Sequence, residues 1–402
     1  MDRDERTAIA ARLMSEFATR TGLPPSTQDQ QRYLWTDAFA VCNFLELFNR
    51  TGDQKYQHCA RDLIDRVHQV LGRYRCDDAR SGWISGLTGE TGQHHPTAGG
   101  LRIGKPLKER DVGEPLDERL EWDRDGQYFH YLTKWIHALC QAAFVIGDPN
   151  YSQWAVELGE AAFRGFVRRL QSGEIVGVYW KMNTDLSRPL VAATGLHDTL
   201  DGFITFREAQ YAIANTPTIA GAPDLGPAIE ALSVLCRHRD WTSDDPLGLG
   251  GLLFDACRLY RLMDGRRDDA RLGEELMDAC WRGIMAFLGS GCLNRPASHR
   301  LAFRELGLAI GLRALPIIGD AITKKTRGFD AGPELPKSLA SLLKYEWVAD
   351  DILAFWLSQA QHPYGRWQEH QNINDVMLAT TLIPGGFLSV DFRIPADMSC
   401  VG

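Results

Sequence analysis

The chain has 402 residues, of which 44% are hydrophobic and 24% charged, and its formal net charge is −8. These proportions are typical of a soluble globular protein with a sizeable core, and they exclude extensive disorder. A nucleic-acid-binding protein would show a surplus or a stripe of basic residues, and the sequence has neither, so nucleic acid is not an expected partner.

The cysteines and the N-terminus favour a cytoplasmic protein. The nine cysteines are scattered without a CxxC pair, which predicts reduced thiols rather than a zinc site or a disulfide framework, at positions 42, 59, 76, 140, 236, 257, 280, 292 and 400. The N-terminal sequence MDRDERTAIAARLMSEF is acidic and amphipathic and lacks the features of a secretory signal. No apolar run of about 18 residues is apparent, so no membrane span is expected.

Helical periodicity begins at the N-terminus, where a first helix is predicted near 4–20. The next run, DAFAVCNFLELFNRTGD (37–53), places apolar residues on one broad face and ends at Thr-Gly-Asp. A second amphipathic run, YQHCARDLIDRVHQVLGRY (56–74), follows after a short turn. Two helices joined in this way predict an αα-hairpin.

The hairpin pattern recurs along the chain. Residues 50–67 match residues 145–162 in register, so that Gly52-Asp53 aligns with Gly147-Asp148, and a weaker copy lies at 262–279. In each case a long apolar helix stops at a Gly/Asp turn and an amphipathic helix begins. One such hairpin cannot bury its apolar face alone, which predicts a stack of them.

The rest of the chain predicts an all-α protein of about a dozen helices, with further helical patterns near 199–214, 225–238, 247–264, 270–289, 300–316, 335–359 and 371–380. Short strands are predicted within connections at 99–104 and 173–182. The connection 76–120 is too long for an ordinary loop and is rich in aromatic residues and histidine, which indicates a functional segment. No linker divides the sequence, so 1–402 is interpreted as one domain.

The stretch RLEWDRDGQYFHYLTK (119–134) concentrates acids and aromatic residues before an apolar helix. On a helix, Asp125, Tyr128 and either Tyr131 or Leu132 would share a face, which Trp135 would join. One acid would suffice to cap the helix and interact favourably with its dipole. The surplus among Glu121, Asp123 and Asp125 therefore predicts at least one carboxylate that faces a ligand.

Similar combinations precede other helices. Aromatic residues with acids or histidine occur around Tyr33, Trp35 and Asp37; around Trp180, Lys181, His197, Asp198 and Asp201; and around Trp367, Glu369 and His370. A histidine beside carboxylates suits general acid–base chemistry. The structural alternatives are an N-cap for Asp37 and a capping His-Asp pair at 197–198.

Charged residues inside an apolar run form a further candidate. Arg304 and Glu305 interrupt such a run, where charges are either paired or face a polar cavity. Asp244 and Asp245 precede Pro246 and favour a helix cap. The sequence contains no GxxxxGK[ST], GxGxxG after a strand, HExxH or GxSxG motif, so no cofactor or metal is predicted.

The repeated TGD..Y turns, YLWTDAF and EWDRDGQYFHYLTK resemble the six-hairpin (α/α)6 toroids, which include many glycoside hydrolases and the N-acylglucosamine 2-epimerase-like sugar isomerases. The resemblance implies an all-α toroid with a few short β-hairpins and an inner funnel that binds a saccharide. The residues selected for binding it are Tyr33, Trp35, Asp37, His95, Trp122, Tyr128, Trp180, Lys181, Arg304, Glu305, Trp367, Glu369 and His370.

Three functions stay open at this point. Glycoside hydrolysis, the main hypothesis, would take its acid from Glu121, Asp123 or Asp125 and its base from Asp198 or Asp201. Sugar epimerisation would use histidine bases, with His197 and His370 as the first candidates and His130 as the next. The third possibility is a non-catalytic binding or assembly toroid, because one fold hosts many functions.

Overall fold

The structure, a computed structural model, describes residues 1–23, 32–216, 221–263, 267–326, 336–361 and 365–389. Its helices are α1 (Arg3–Arg20), α2 (Leu34–Thr51), α3 (Gln54–Leu71), α4 (Gly89–His94), α5 (Glu118–Glu121), α6 (Phe129–Ile146), α7 (Pro149–Phe166), α8 (Asp198–Ala214), α9 (Gly226–Leu235), α10 (Pro246–Leu262), α11 (Arg267–Gly289), α12 (Ala302–Leu312), α13 (Leu315–Thr326), α14 (Lys337–Leu342), α15 (Trp347–Gln361), α16 (Arg366–Glu369), α17 (Gln371–Leu382) and α18 (Gly385–Leu388). The predicted all-α class is confirmed. The helix predicted near 300–316 is divided between α12 and α13, and the one predicted near 335–359 between α14 and α15.

Short strands lie in the connections, at β1 (Gln127–Tyr128), β2 (Val167–Arg169), β3 (Ile175–Val178), β4 (Lys181–Met182) and β5 (Pro189–Val191). Strand β4 pairs antiparallel with both β1 and β5, and β2 pairs antiparallel with β3. The strand predicted at 173–182 corresponds to β3 and β4. No strand forms at 99–104, because Gly100 and Gly104 adopt φ angles of 81° and 91°, which interrupt an extended run.

Identical turns explain the two matching hairpins. Helix α2 ends at Gly52, whose φ is 70° and whose N–H donates to the Phe48 carbonyl at 2.8 Å, and Asp53 then caps α3. Helix α6 ends in the same way at Gly147, with φ 76°, and Asp148 caps α7 by accepting the Asn150 N–H at 3.0 Å. The repeat recognised in the sequence is therefore a repeat of helix stop and helix start.

The helices group into two compact units. The first unit comprises the described parts of Ala18–Cys236, and the second comprises Met1–Phe17 with residues 237–389. In the first unit α2 packs against α3, α6 against α7 and α8 against α9, while α6 also contacts both α2 and α8. In the second unit α10 packs against α11 and α12, and α12 against α15 and α17. The single-domain interpretation stays a prediction.

One apolar stretch meets the length and composition of a membrane span. Residues Ala302–Thr323 contain a window of mean hydropathy 1.5, contrary to the expectation that no such run exists. Of that window, 56% is buried inside the structure, as in a core helix of a globular unit. Helix α12 carries Glu305 within this stretch, buried and bonded to Arg300.

Candidate active site

Three of the predicted stretches meet in the first unit. The Tyr33 hydroxyl, at the start of α2, lies 2.5 Å from the Tyr131 hydroxyl in the first turn of α6. The neighbouring His130 places its Nδ1 3.8 Å from Oδ1 of Asp198, the first residue of α8. Because α6 packs between α2 and α8, the N-terminal ends of the three helices contribute to one site. We call it the helix-end site.

Aromatic rings form one side of the helix-end site. The Trp180 ring centroid lies 4.9 Å from that of Tyr128 and 6.3 Å from that of His130, to which it is nearly parallel at 10°. Trp122 contacts Trp180 edge-on at 5.3 Å and is 56% exposed. An exposed indole beside a second indole offers the flat apolar face on which a sugar ring can stack.

Asp198 is the most perturbed carboxyl of the helix-end site. It is 7% exposed, and its Oδ2 accepts the backbone N–H of Gly195 at 3.2 Å. Burial, together with the neighbouring charge of Asp201, raises the pKa of Asp198 to about 7. A side chain at position 195 would clash, because a Cβ there would meet the Asp198 carboxyl oxygen at 2.4 Å. Asp198 therefore carries a proton that it can give up near neutral pH.

His130 stands beside Asp198 as a neutral imidazole. Burial, helped by the charge of Lys134, lowers the pKa of His130 to about 4. Its side chain remains 29% exposed, and within the described part of the chain Nδ1 has no hydrogen-bond partner. The contact with Asp198 is thus one between a protonatable carboxyl and a neutral base rather than an ion pair.

Asp201 lies one helical turn after Asp198 but has a different environment. Its Oδ2 accepts hydrogen bonds from Thr133 Oγ1 at 2.5 Å and from Lys134 Nζ at 2.7 Å, and its Oδ1 accepts one from Thr205 at 3.2 Å. Two aspartates of one helix thus have different surroundings, because hydroxyl and ammonium donors contact Asp201 while Asp198 lies beside His130.

Glu121 and Lys181 form a buried ion pair beneath the aromatic rings. Lys181 is fully buried and donates to Glu121 Oε1 at 2.9 Å and to the carbonyls of Glu121 and Arg124 at 2.7 and 2.8 Å. All three ammonium protons are therefore used within the protein. Arg110 Nε donates to the other Glu121 oxygen at 3.1 Å. Since both partners are saturated, the pair has the contacts of a structural element.

Asp125 is also fully engaged. Its Oδ2 lies 2.5 Å from Arg102 Nη1, and its Oδ1 accepts the backbone N–H groups of Gly104 at 3.0 Å and Lys105 at 3.4 Å. The prediction that Asp125 and Tyr128 share a helical face is wrong, because α6 begins only at Phe129. No side chain caps it, so the expected acid cap is also absent there.

Other predicted residues lie at the edges of the helix-end site. Trp35 is buried against Phe39, with ring centroids 4.4 Å apart. Asp37 accepts the Tyr33 N–H at 3.1 Å, close to its expected capping role, and burial raises its pKa to about 6. Asp123 is exposed after α5.

Two predicted histidines differ in their surroundings. His95 Nδ1 lies 2.6 Å from Glu157 Oε1 and 3.3 Å from the Gln153 amide. Both partners belong to α7, which contributes no residue to the helix-end site. His197 is the N-cap residue of α8, where its carbonyl accepts the Asp201 N–H at 2.9 Å. The residue adjoins the helix-end site through the backbone of α8.

The second unit holds the remaining predicted residues. Glu305 accepts Arg300 Nε at 2.8 Å and the Trp356 indole N–H at 2.7 Å, and Arg304 Nε lies 3.2 Å from Asp245, which caps α10 as expected. Trp367 is buried and donates to Asp375 at 3.2 Å. Glu369 and His370 are exposed, with the His370 ring 5.8 Å from that of Phe303.

Two residues of the helix-end site, Tyr131 and Lys134, were not selected from the sequence as binding or catalytic residues, although Tyr131 was considered for the face of Asp125 and Tyr128. Tyr131 and Lys134 follow His130 at one and four positions, in the helical run whose acids drew attention first. Their signal is helical spacing, because His130 and Lys134 share one face of α6. Across the described ranges, the eight cysteines are free thiols and no group of three metal-ligating side chains occurs.

No family model matches the sequence, and no curated protein matches it. Among solved structures the chain is similar to a sugar epimerase from a ruminal bacterium, with 10% identity, a TM-score of 0.50, and coverage of 95% of this chain and 98% of that one. It is also similar to a D-mannose isomerase, with 13% identity, a TM-score of 0.47 and coverage of 88% and 86%. A cellobiose 2-epimerase from Spirochaeta thermophila matches with 14% identity, a TM-score of 0.46 and coverage of 87% and 98%.

The first of these similarities extends over nearly the whole chain and shows the fold. The fold class is that of the six-hairpin (α/α)6 toroid proteins, as the sequence predicted. No family is identified for the chain.

Proposed function

We propose that the chain is a carbohydrate-processing enzyme whose reaction centre is the helix-end site, with Asp198 as the general acid. The observation that carries the proposal is the contact between the buried Asp198 carboxyl and His130, 3.8 Å apart, and burial supports the assignment by raising the pKa of Asp198. The exposed Trp122 and the adjacent Trp180 provide the surface for the sugar ring. The fold, shared with a sugar epimerase, supports a saccharide as the small-molecule partner.

Glycoside hydrolysis is the reaction we place first. Asp198 donates its proton to the leaving glycosidic oxygen while water attacks the anomeric carbon. The water attacks from the opposite face of the sugar ring and loses its proton to solvent, and the Asp198 carboxylate regains a proton from solvent. Burial and, after it, the neighbouring Asp201 raise the pKa of Asp198 and so favour its protonated form. Glu121 and Asp125 take no part in proton transfer, because their oxygens are occupied by lysine, arginine and backbone donors.

Epimerisation of a free sugar is the second candidate, favoured by the state of His130. Its imidazole is neutral near pH 7, and its buried Nδ1 has no hydrogen-bond partner among the described residues, so the lone pair is available for a carbon-bound proton of a sugar that reaches it. Asp198 would hold the sugar carbonyl oxygen through its own proton. In this version His130 takes over the role that the sequence had assigned first to His197 and His370.

One incubation separates the two reactions. The protein is mixed in deuterated water with a panel of disaccharides, aryl glycosides and free aldoses, and the products are analysed for new reducing ends and for deuterium at C2. Hydrolysis predicts new reducing ends without deuterium at C2, whereas epimerisation predicts C2 deuterium without bond cleavage. A panel that shows neither change would favour the non-catalytic toroid.

Trp122→Ala is expected to weaken saccharide binding about two- to tenfold, because a stacked aromatic contact contributes about 0.5–1.5 kcal/mol. The expected change is in KM, with kcat nearly preserved, since the indole contacts the sugar and not the reacting atoms. The matched control is Trp347→Ala, which removes a tryptophan that is 49% exposed in the second unit. Equal KM values for wild type and Trp122→Ala would remove this residue from the sugar surface.

A further inference from the structure

Lys105 differs from the other lysines near the helix-end site. Lys134 is paired with Asp201 at 2.7 Å, and Lys181 with Glu121 at 2.9 Å. Lys105 is half-buried, and no acid of the described ranges lies within ion-pair distance of its ammonium group. Instead, its Nζ stands 5.3 Å from the ring centroid of Tyr33. A half-buried ammonium group that forms no ion pair with the described residues is a candidate for binding an anion.

The backbone at Lys105 is held in place by side chains that were first suspected of catalysis or had no assigned role. Asp125 accepts the N–H groups of Gly104 and Lys105, at 3.0 and 3.4 Å. Arg75 donates to the carbonyls of Lys105 and Pro106, at 2.7 and 2.9 Å. Four hydrogen bonds from charged side chains thus fix the segment that carries Lys105, and such anchoring is unnecessary for a lysine that only points into solvent.

The close approach of Gly104 to its neighbour adds to this rigidity. Gly104 has a φ of 91°, and a Cβ at this position would meet the carbonyl oxygen of Arg32 at 2.1 Å. The segment therefore packs directly on the residue before Tyr33. The ammonium group of Lys105 is presented to the ring of Tyr33 by a backbone that has little freedom to move, which lowers the cost of ordering it around a ligand.

We propose that Lys105 binds an anionic substituent of the saccharide, a carboxylate, sulfate or phosphate group. Contacts link it to the reaction centre, because Tyr33 touches Tyr131, and Tyr131 packs on His130 with ring centroids 4.9 Å apart. The substrate class is then an acidic sugar, held by its charge near Tyr33 and by its ring on Trp122 and Trp180. This inference rests on the proposed function and narrows it.

Calorimetric titration tests the inference with four probes: glucose, glucuronate, glucose 6-sulfate and glucose 6-phosphate. At least one anionic probe is expected to bind the wild type about tenfold or more tightly than glucose, as a hydrogen bond between charged groups would give. The three anions distinguish the possible substituents. The preference should decrease as ionic strength rises.

Variants at two lysines complete the test. Lys105→Met, which keeps the apolar stem, should lose the preference for the anion over glucose, while Lys105→Arg should retain that preference. The matched control is Lys108→Met, since Lys108 is exposed and pairs with Asp111 at 3.0 Å. The inference is overturned, and the proposed function is left standing, if Lys105→Met binds the anions as tightly as the wild type does. The same holds if the wild type binds glucose and all three anions equally. Failure to bind any sugar overturns the proposed function as well.

Discussion

Asp198→Asn is expected to lower kcat about 10²- to 10⁴-fold on the sugar that the wild type converts, because the asparagine amide cannot act as the general acid. The substitution preserves the size of the side chain and the oxygen that accepts the Gly195 N–H. It also removes a buried ionisable group whose raised pKa disfavours its charge in the folded state. Folding should therefore be unaffected, and KM should change little. Steady-state kinetics measures kcat and KM, and circular dichroism measures folding.

Asp224→Asn provides the control for this substitution. Asp224 is exposed in the same unit, and its Oδ1 accepts the Gly226 N–H at 2.9 Å, a contact that asparagine can also make. The kcat of the Asp224→Asn variant should equal that of the wild type. If Asp198→Asn retained more than about a tenth of wild-type kcat while folded, Asp198 would lose its assignment as the acid.

Lys181→Met is expected to lower the free energy of unfolding by about 3–5 kcal/mol, the usual effect of removing one partner of a buried ion pair. The change leaves Glu121 with Arg110 as its remaining cation, and it deprives the carbonyls of Glu121 and Arg124 of their donor. Trp180 precedes Lys181, and Trp122 follows Glu121, so the packing of the two indoles should loosen too. Urea unfolding followed by tryptophan fluorescence measures the loss.

A double-variant comparison checks the origin of this loss. Glu121→Gln combined with Lys181→Met removes both charges. The double variant should lose less free energy of unfolding than the sum of the losses in the two single variants, because neither charge is left buried without its partner. An unchanged free energy of unfolding in Lys181→Met, accompanied by lost sugar binding, would instead restore the direct substrate contact that the sequence had suggested.

The helices were predictable because their signals are local. Apolar periodicity and the Gly-Asp turns at 52–53 and 147–148 depend on a few neighbouring residues, and the structure places helix ends at those turns. The connection 76–120 was recognised only as unusual. Its conformation depends on partners far along the chain, such as Arg80 with Asp185 and Thr184 N–H with Glu109, and periodicity carries no information about such pairs.

The candidate site was predictable as a set of stretches but not residue by residue. The sequence offers Glu121, Asp125 and Asp198 as carboxylates of the same kind, and the structure buries all three. Their surroundings differ, because Lys181 and Arg102 neutralise the first two while Asp198 faces His130 and Asp201. The pairing of Glu121 with Lys181 spans 60 positions, so only the folded chain distinguishes a structural carboxylate from a reactive one.

The pH dependence of kcat/KM tests the central assignment most directly. Asp198 donates a proton only below its pKa of about 7. The profile on a converted sugar should therefore fall as pH rises above about 7. In Asp198→Asn the residual activity should lack the upper limb. A wild-type profile that stays level up to pH about 9, or an upper limb that persists in the variant, would contradict the account.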